Sequence, residues 1–375
     1  MNVYLDNNAT TRVAQECLDA MLECLEDYGN PSSMHTLGQK AKKRLLDARA
    51  RIALFLTAYP QEVVFTSGGT EGNHMAILGS CALHPEKRHI VTSSVEHHST
   101  LALFEHLEKQ GYQVTRVGVD EAGRLDLDAL EKAVTNETVL VSLMWSNNET
   151  GVVFPIEAAV NIAKSKGCFF HTDAVQAAGK MKIDLSRVAV DFLVFSGHKM
   201  HAPKGVGALF VRKSIKLPCV LFGSQERGRR GGTENLPGIA ALGVACGLFM
   251  EDDGCARIGR LRDMLETGVL EKILSARING AASERVSNTS SIRFGDVESE
   301  AILDGLDKAG IYASSGAACA AGGNHPSHVL VAMGLGKAAE ASIRFSLSRY
   351  TTEEEIVQLL GILPGIVEKM TGRMQ

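Results

Sequence analysis

Lys199 ends the run Asp191-Phe192-Leu193-Val194-Phe195-Ser196-Gly197-His198-Lys199, in which apolar residues give way to a hydroxyl, a glycine, an imidazole and an amine. A run of β-formers of that length reads as a buried strand, and open α/β sheets place their ligands beyond the carboxyl ends of their strands. An amine desolvated there loses proton affinity and becomes a nucleophile able to form a Schiff base with an aldehyde such as that of pyridoxal phosphate (PLP). A surface lysine that merely follows a strand is the alternative. Asp173, in Phe169-Phe170-His171-Thr172-Asp173-Ala174-Val175-Gln176, closes a second apolar run. A carboxylate at that depth can hold a pyridine nitrogen protonated, or cap a helix.

Other polar groups fall at similar places. Thr66-Ser67-Gly68-Gly69-Thr70-Glu71-Gly72-Asn73 follows one predicted strand and opens a helix, so backbone N–H groups and the Thr70 hydroxyl can meet a phosphate at the positive end of the helix dipole. A tight turn with a Ser or Thr cap is the competing reading. His97, in Ser94-Val95-Glu96-His97-His98, lies just past another strand, where an imidazole can stack on a ring or shuttle protons. Asn148, in Asn147-Asn148-Glu149-Thr150-Gly151, adds an amide in a turn.

The elements that position these groups alternate from about Val13 to Met250. Strands are expected at Val63 to Thr66, His89 to Ser93, Gln113 to Val117, Thr138 to Leu143, Cys168 to His171, Phe192 to Phe195 and Ala208 to Val211. Helices are expected between them, for example at Glu71 to Leu83, Thr100 to Gln110 and Ile156 to Lys166. Most of the strands are apolar throughout, as in a parallel, doubly wound sheet covered on both faces. The pattern changes after Asp252-Asp253-Gly254. A long amphipathic stretch, Ala256 to Leu274, precedes strands at Ser290 to Phe294 and Ser342 to Leu347, and a closing helix from Glu353 to Lys369 capped by Thr351-Thr352. The expectation is an α/β chain with a large domain over residues 13–252 and a smaller α+β domain from residues 1–12 and 253–375. Ser314 to Gly323, rich in small residues, reads as a mobile loop in the latter.

Composition narrows the partners. With 375 residues, a formal charge of −4 and no long basic run, the chain can bury a sizeable core and is a poor match to nucleic acid. Its eight cysteines show no C-x-x-C pair and read as reduced cytoplasmic thiols. No basic-then-apolar leader and no apolar stretch of membrane-spanning length occurs, so a soluble, unexported protein without a long docking tail is expected.

Together, Leu5-Asp6-Asn7-Asn8-Ala9-Thr10-Thr11, Gly29-Asn30-Pro31-Ser32-Ser33, Gly69-Thr70-Glu71, Glu96-His97, Asn147-Asn148-Glu149, Asp173-Ala174-Val175-Gln176 and Ser196-Gly197-His198-Lys199 resemble the cysteine desulfurases of the NifS/IscS type, through essentially the whole chain. The resemblance implies a fold type I PLP enzyme of the class-V aminotransferase family, a homodimer with a mainly parallel seven-stranded sheet. It implies that Lys199 anchors PLP covalently, Asp173 pairs with the pyridinium, Gln176 donates to the ring oxygen, and His97 stacks on the ring and moves protons. Gly69, Thr70, Ser196 and His198 would hold the phosphate, joined by Thr233 from the neighbouring subunit. Asn148 and Arg344 would grip the substrate carboxylate, for which a guanidinium fork is suited, and Asn148 would also contact the cofactor. Cys319, in Ser314-Ser315-Gly316-Ala317-Ala318-Cys319-Ala320-Ala321-Gly322-Gly323, would take sulfur from L-cysteine as a persulfide, leave L-alanine, and pass the sulfur to an acceptor such as an iron–sulfur scaffold protein.

Ala317, Ala320 and Ala321 depart from the hydroxyl-bearing residues that family members often carry there, and so leave the thiol's activation open. No intrinsic metal site is read from His325 and His328 beside Cys319, whose spacing matches no common zinc site; at most Cys319 is a transient iron–sulfur ligand. A selenocysteine lyase, and a catalytically silent partner-docking relative, are the alternatives.

Overall fold

Apolar runs such as Phe192-Leu193-Val194-Phe195 are covered on both faces and carry β-branched and aromatic side chains, the combination that favours interior strands. A computed structural model describes residues 2–252, 254–316 and 326–370. Its strands are β1 Val3–Tyr4, β2 Val63–Thr66, β3 His89–Ser93, β4 Gln113–Val117, β5 Thr138–Met144, β6 Phe169–Asp173, β7 Phe192–Ser196, β8 Gly207–Val211, β9 Ala276–Asn279, β10 Thr289–Phe294, β11 Ile311–Tyr312, β12 Ser314–Ser315 and β13 Ser342–Ser346.

The central sheet has seven strands in the order β2-β8-β7-β6-β5-β3-β4. Every neighbouring pair is parallel except the two that involve β8, which runs antiparallel to β2 and to β7. Residues 197–206 are too few for the crossover of a dozen or more that a parallel partner requires, so the chain returns as a hairpin. The parallel direction expected for Ala208 to Val211 is corrected accordingly. Helix Gly69–Leu83 packs closely on the sheet at Gly72, where a Cβ would stand 2.7 Å from Val194 Cγ1. Any larger side chain there would have to displace Val194.

A second cluster of buried apolar side chains joins Val3 and Leu5 to residues between Ile258 and Val367. It lies on the four-stranded antiparallel sheet β12-β13-β10-β9 and on the helices Cys255–Lys272, Ser299–Lys308 and Glu353–Met370. The last helix starts with a reciprocal cap: Thr352 N donates to Glu355 Oε2 at 2.9 Å and Glu355 N to Thr352 Oγ1 at 3.3 Å. Ser314 and Ser315, read from the sequence as the start of a loop, are strand β12 paired with β13. Residues Leu5 to Asn8 run beside β13: Ser346 N donates to Leu5 O at 2.7 Å and Asn7 N to Ser346 O at 3.2 Å. The first residues thereby cross between the two clusters.

Candidate active site

The carboxyl ends of β2, β3, β5, β6 and β7 lie on one edge of the central sheet and carry, respectively, the Gly69-Thr70 turn, His97, the Asn147–Glu149 turn, Asp173 and Lys199. Lys199 closes a single helical turn, Gly197–Lys199, directly after β7. Its Nζ donates to the carbonyls of Asn8 at 2.5 Å and Ala9 at 2.8 Å, so the N-terminal crossing seats the amine.

Asp173 accepts from the Val175 N–H at 3.0 Å, which folds the chain back as an Asx turn, and from Asn73 Nδ2 at 2.6 Å. Asn73 has its oxygen turned to His171 Nε2, 3.1 Å away, and His171 Nδ1 lies 2.9 Å from Ser142 Oγ. Because the Asn73 nitrogen serves the carboxylate, His171 must carry its proton on Nε2 and accept from Ser142. Burial pushes the His171 pKa down to about 3, so that neutral tautomer persists at ordinary pH. Among the described residues, Asp173 is thus held by a chain of fixed dipoles and forms no ion pair.

Gly69, Thr70, Ser196 and His198 line one cleft of about 520 Å³ with Thr10 and Lys204. It opens at the start of helix Gly69–Leu83, whose N-cap residue Gly68 makes no side-chain cap. Glu71 in this turn accepts from Arg230 Nε at 2.7 Å and from Ser67 N at 2.7 Å. Burial pushes the His198 pKa down to about 4, assisted by Lys199, Lys204 and Lys180, and His198 O accepts from Thr11 N at 2.8 Å.

His97 caps helix His98–Lys109: its Nδ1 accepts from Ser99 N at 3.2 Å and lies 2.8 Å from Ser99 Oγ. Since a backbone N–H can only donate, the neutral ring carries its proton on Nε2. Burial lowers the His97 pKa; Asp173 opposes that shift, and Lys199 and the histidines His98 and His328 reinforce it. Glu96 beside it is buried, with Oε1 bound to Ser93 Oγ at 2.6 Å and Met144 N at 3.0 Å. His328 Nε2 lies 3.0 Å from Glu96 O.

Arg344, on β13, is 4 % exposed; Nη2 donates to Asp6 Oδ1 at 2.7 Å and Nη1 to Asn148 O at 3.1 Å. Its buried Nε has no partner among the described residues. Gln176 Nε2 donates to Asn8 O at 3.0 Å. Thr233 is exposed and is not among the residues lining the cleft, and Cys319 lies outside the described residues. Cys81 and Cys246 are buried apolar fillers whose thiols burial pushes up, that of Cys81 to about 11. The groups that sequence reasoning missed are Asn8, Asn73, His171 and Lys180. Asn8, Asn73 and His171 sit inside motifs already singled out, and a histidine in the otherwise apolar strand β6 was a readable signal.

Residues 3–359 match the family model described as aminotransferase class-V. A cysteine desulfurase 2 of Trichormus variabilis is 52 % identical over 374 residues, covering 98 % of this chain and 94 % of that protein. The cysteine desulfurase NifS of Azotobacter vinelandii is 46 % identical over 376 residues, covering 98 % and 93 %. Among solved structures, a NifS-like protein superposes with a TM-score of 0.92 at 36 % identity, covering 98 % of this chain and all of that one (100 %). SspA, solved in complex with cysteine, gives 0.82 at 35 % identity, over 93 % of this chain and 100 % of its own. Likeness of this extent, along essentially the whole chain, places the protein in the class-V aminotransferase family, among its cysteine desulfurases of the NifS type.

Proposed function

We infer that the chain is a cysteine desulfurase that uses PLP to convert L-cysteine to L-alanine, with the sulfur taken by Cys319. The observation that carries the reading is the convergence of Lys199, Asp173 and His97 on one sheet edge, beside an uncapped helix start lined by Ser196, Thr70 and Lys204. Those residues fit the cofactor. The helix N–H groups and hydroxyls suit a phosphate, Asp173 suits a pyridinium, and Gln176 offers an N–H to the ring oxygen. When bound, PLP supplies the electron sink that stabilises negative charge at the substrate Cα.

The protein's own groups then divide the work. Lys199 anchors the cofactor and afterwards takes the Cα proton at Nζ. Arg344, with a buried Nε still to be satisfied, binds the substrate carboxylate with the Asn148 amide. His97 offers the proton on Nε2 to the reacting groups. The Cys319 thiolate attacks the substrate sulfur; an S–S bond forms as the Cβ–S bond breaks, the electron pair stays on the substrate carbon, and protonation there yields alanine. The persulfide passes to an acceptor such as an iron–sulfur scaffold protein. Two copies of the chain form the working enzyme, with Thr233 of each serving the other's phosphate, and the domain division near residue 253 belongs to the same reading. Among the described residues no helix is long and apolar enough to cross a membrane, and a cytoplasmic location is part of the proposal.

Cys319→Ala tests it. The purified variant should keep the yellow colour of the holoenzyme and bind L-cysteine yet release no alanine; full turnover would falsify the assignment of Cys319.

A further inference from the structure

Lys180 ends the turn segment after β6 and is almost fully buried, at 7 % exposure. Among the described residues no carboxylate forms an ion pair with it. Its Nζ donates instead to Asn8 Oδ1 at 2.8 Å and to Gln176 Oε1. Burial, with the positive Lys199 and Arg344 nearby, pushes its pKa well below that of an exposed lysine. Both contacts use the amine as donor, and both partners are side-chain amide oxygens.

The consequence falls on Gln176. With Oε1 occupied by Lys180, its Nε2 faces Asn8 O at 3.0 Å, the carbonyl that also takes Lys199 Nζ at 2.5 Å. Turned over, the amide would set oxygen against that carbonyl and nitrogen against the Lys180 amine, two contacts between like dipoles. Asn8 is fixed in turn: Oδ1 also accepts from Asn288 Nδ2 at 3.0 Å, and Nδ2 donates to Thr289 Oγ1 at 2.8 Å and to Asn148 O at 3.1 Å. Lys180 therefore presses on one rotatable group, the Gln176 amide, from a frame that is otherwise locked.

We propose that Lys180 is a positioning residue, whose buried amine holds the Gln176 amide so that Nε2 rather than Oε1 is presented to the ring oxygen of PLP. The inference rests on the reading that Gln176 donates to that oxygen. An N–H donor stabilises the oxygen's anionic form, so losing it favours the protonated form of the bound cofactor and raises the pH midpoint of its visible absorbance.

The test is a double-mutant cycle on the holoenzyme, with that midpoint and Tm as readouts. Lys180→Met and Gln176→Met are each expected to raise the midpoint by about one pH unit, and the double variant no further, because the first acts through the second. A Lys180→Met midpoint equal to wild type, with Gln176→Met shifted, overturns the inference whatever happens to Tm; so does a double variant in which the two shifts add. An unshifted Gln176→Met overturns the Gln176 reading instead, and the inference with it. If Lys180→Met does not fold, Lys180→Gln, one bond shorter but still a donor, is expected to shift the midpoint in the same direction by less; an unchanged midpoint there counts against the inference equally.

Discussion

Asn73 Nδ2 donates to Asp173 Oδ2 at 2.6 Å across one hundred residues of sequence, so helix Gly69–Leu83 orients the carboxylate that ends β6. A hydrogen bond to a charged group contributes about 1.5–3 kcal/mol. Asn73→Leu should therefore weaken PLP binding by roughly 10- to 100-fold, measured by titrating the apoprotein and following fluorescence. Unchanged affinity would remove Asn73 from the cofactor's support.

Arg344 gives a second expectation. Its planar fork is already held by Asp6 and Asn148, which leaves Nε for a carboxylate. Lys at this position keeps the charge but loses the fork. Arg344→Lys should raise the KM for L-cysteine by about tenfold or more while the yellow absorbance persists. Steady-state kinetics that leave KM at the wild-type value would exclude carboxylate binding by Arg344.

Gly316 and Ser327 flank the segment that carries Cys319, and both meet Glu149. Ser327 Oγ donates to Glu149 Oε2, and a Cβ on Gly316 would fall 2.1 Å from that same oxygen. Gly316→Ala must move the buried carboxylate or its own backbone, at a cost of about 1–3 kcal/mol. We expect a lower Tm and alanine production reduced more than cofactor binding. A variant as active and as heat-stable as wild type would show that the contact carries no constraint.

Glu96 supplies a pH test. Burial raises its pKa from the usual 4.5 to about 8, against the pull of Ser93 and the Met144 N–H. The folded protein holds this proton to higher pH than the unfolded chain does, so the stabilisation is complete at acid pH and is lost as pH rises from about 4.5 to about 8. Glu96→Gln has no charge to bury. Its Tm advantage over wild type should be greatest at pH 9 and smallest at pH 5; parallel curves across that interval would contradict the sign.

Much of the central sheet was legible because most of its strands are apolar on both faces. Val63–Thr66 and His89–Ser93, buried throughout, fall at the expected bounds, as does Gln113–Val117, a polar and partly exposed strand at the sheet's edge. The direction of β8 was not legible, since a strand's composition carries no polarity and the short return after Lys199 decides it. Lys199 and Asp173 stood out as polar groups ending apolar runs. Asn73 and Lys180 did not, because a polar residue in a helix or turn looks solvated until the fold buries it. Lys180 in particular gains its meaning from Asn8, a contact between positions 172 residues apart.

The crossing of Leu5 to Asn8 beside β13 also bears on when the protein becomes reactive during its synthesis. Leu5 and Asn7 are made long before Ser346, whose backbone holds them, while Asn8 O in turn seats the Lys199 amine. A nascent chain stopped short of β13 has its lysine but no seat for it. Chains arrested before residue 342 should resist reductive labelling with PLP at Lys199, and released full-length chains should accept it. The order of synthesis would thus delay the seating of the Lys199 amine until β13 has been made.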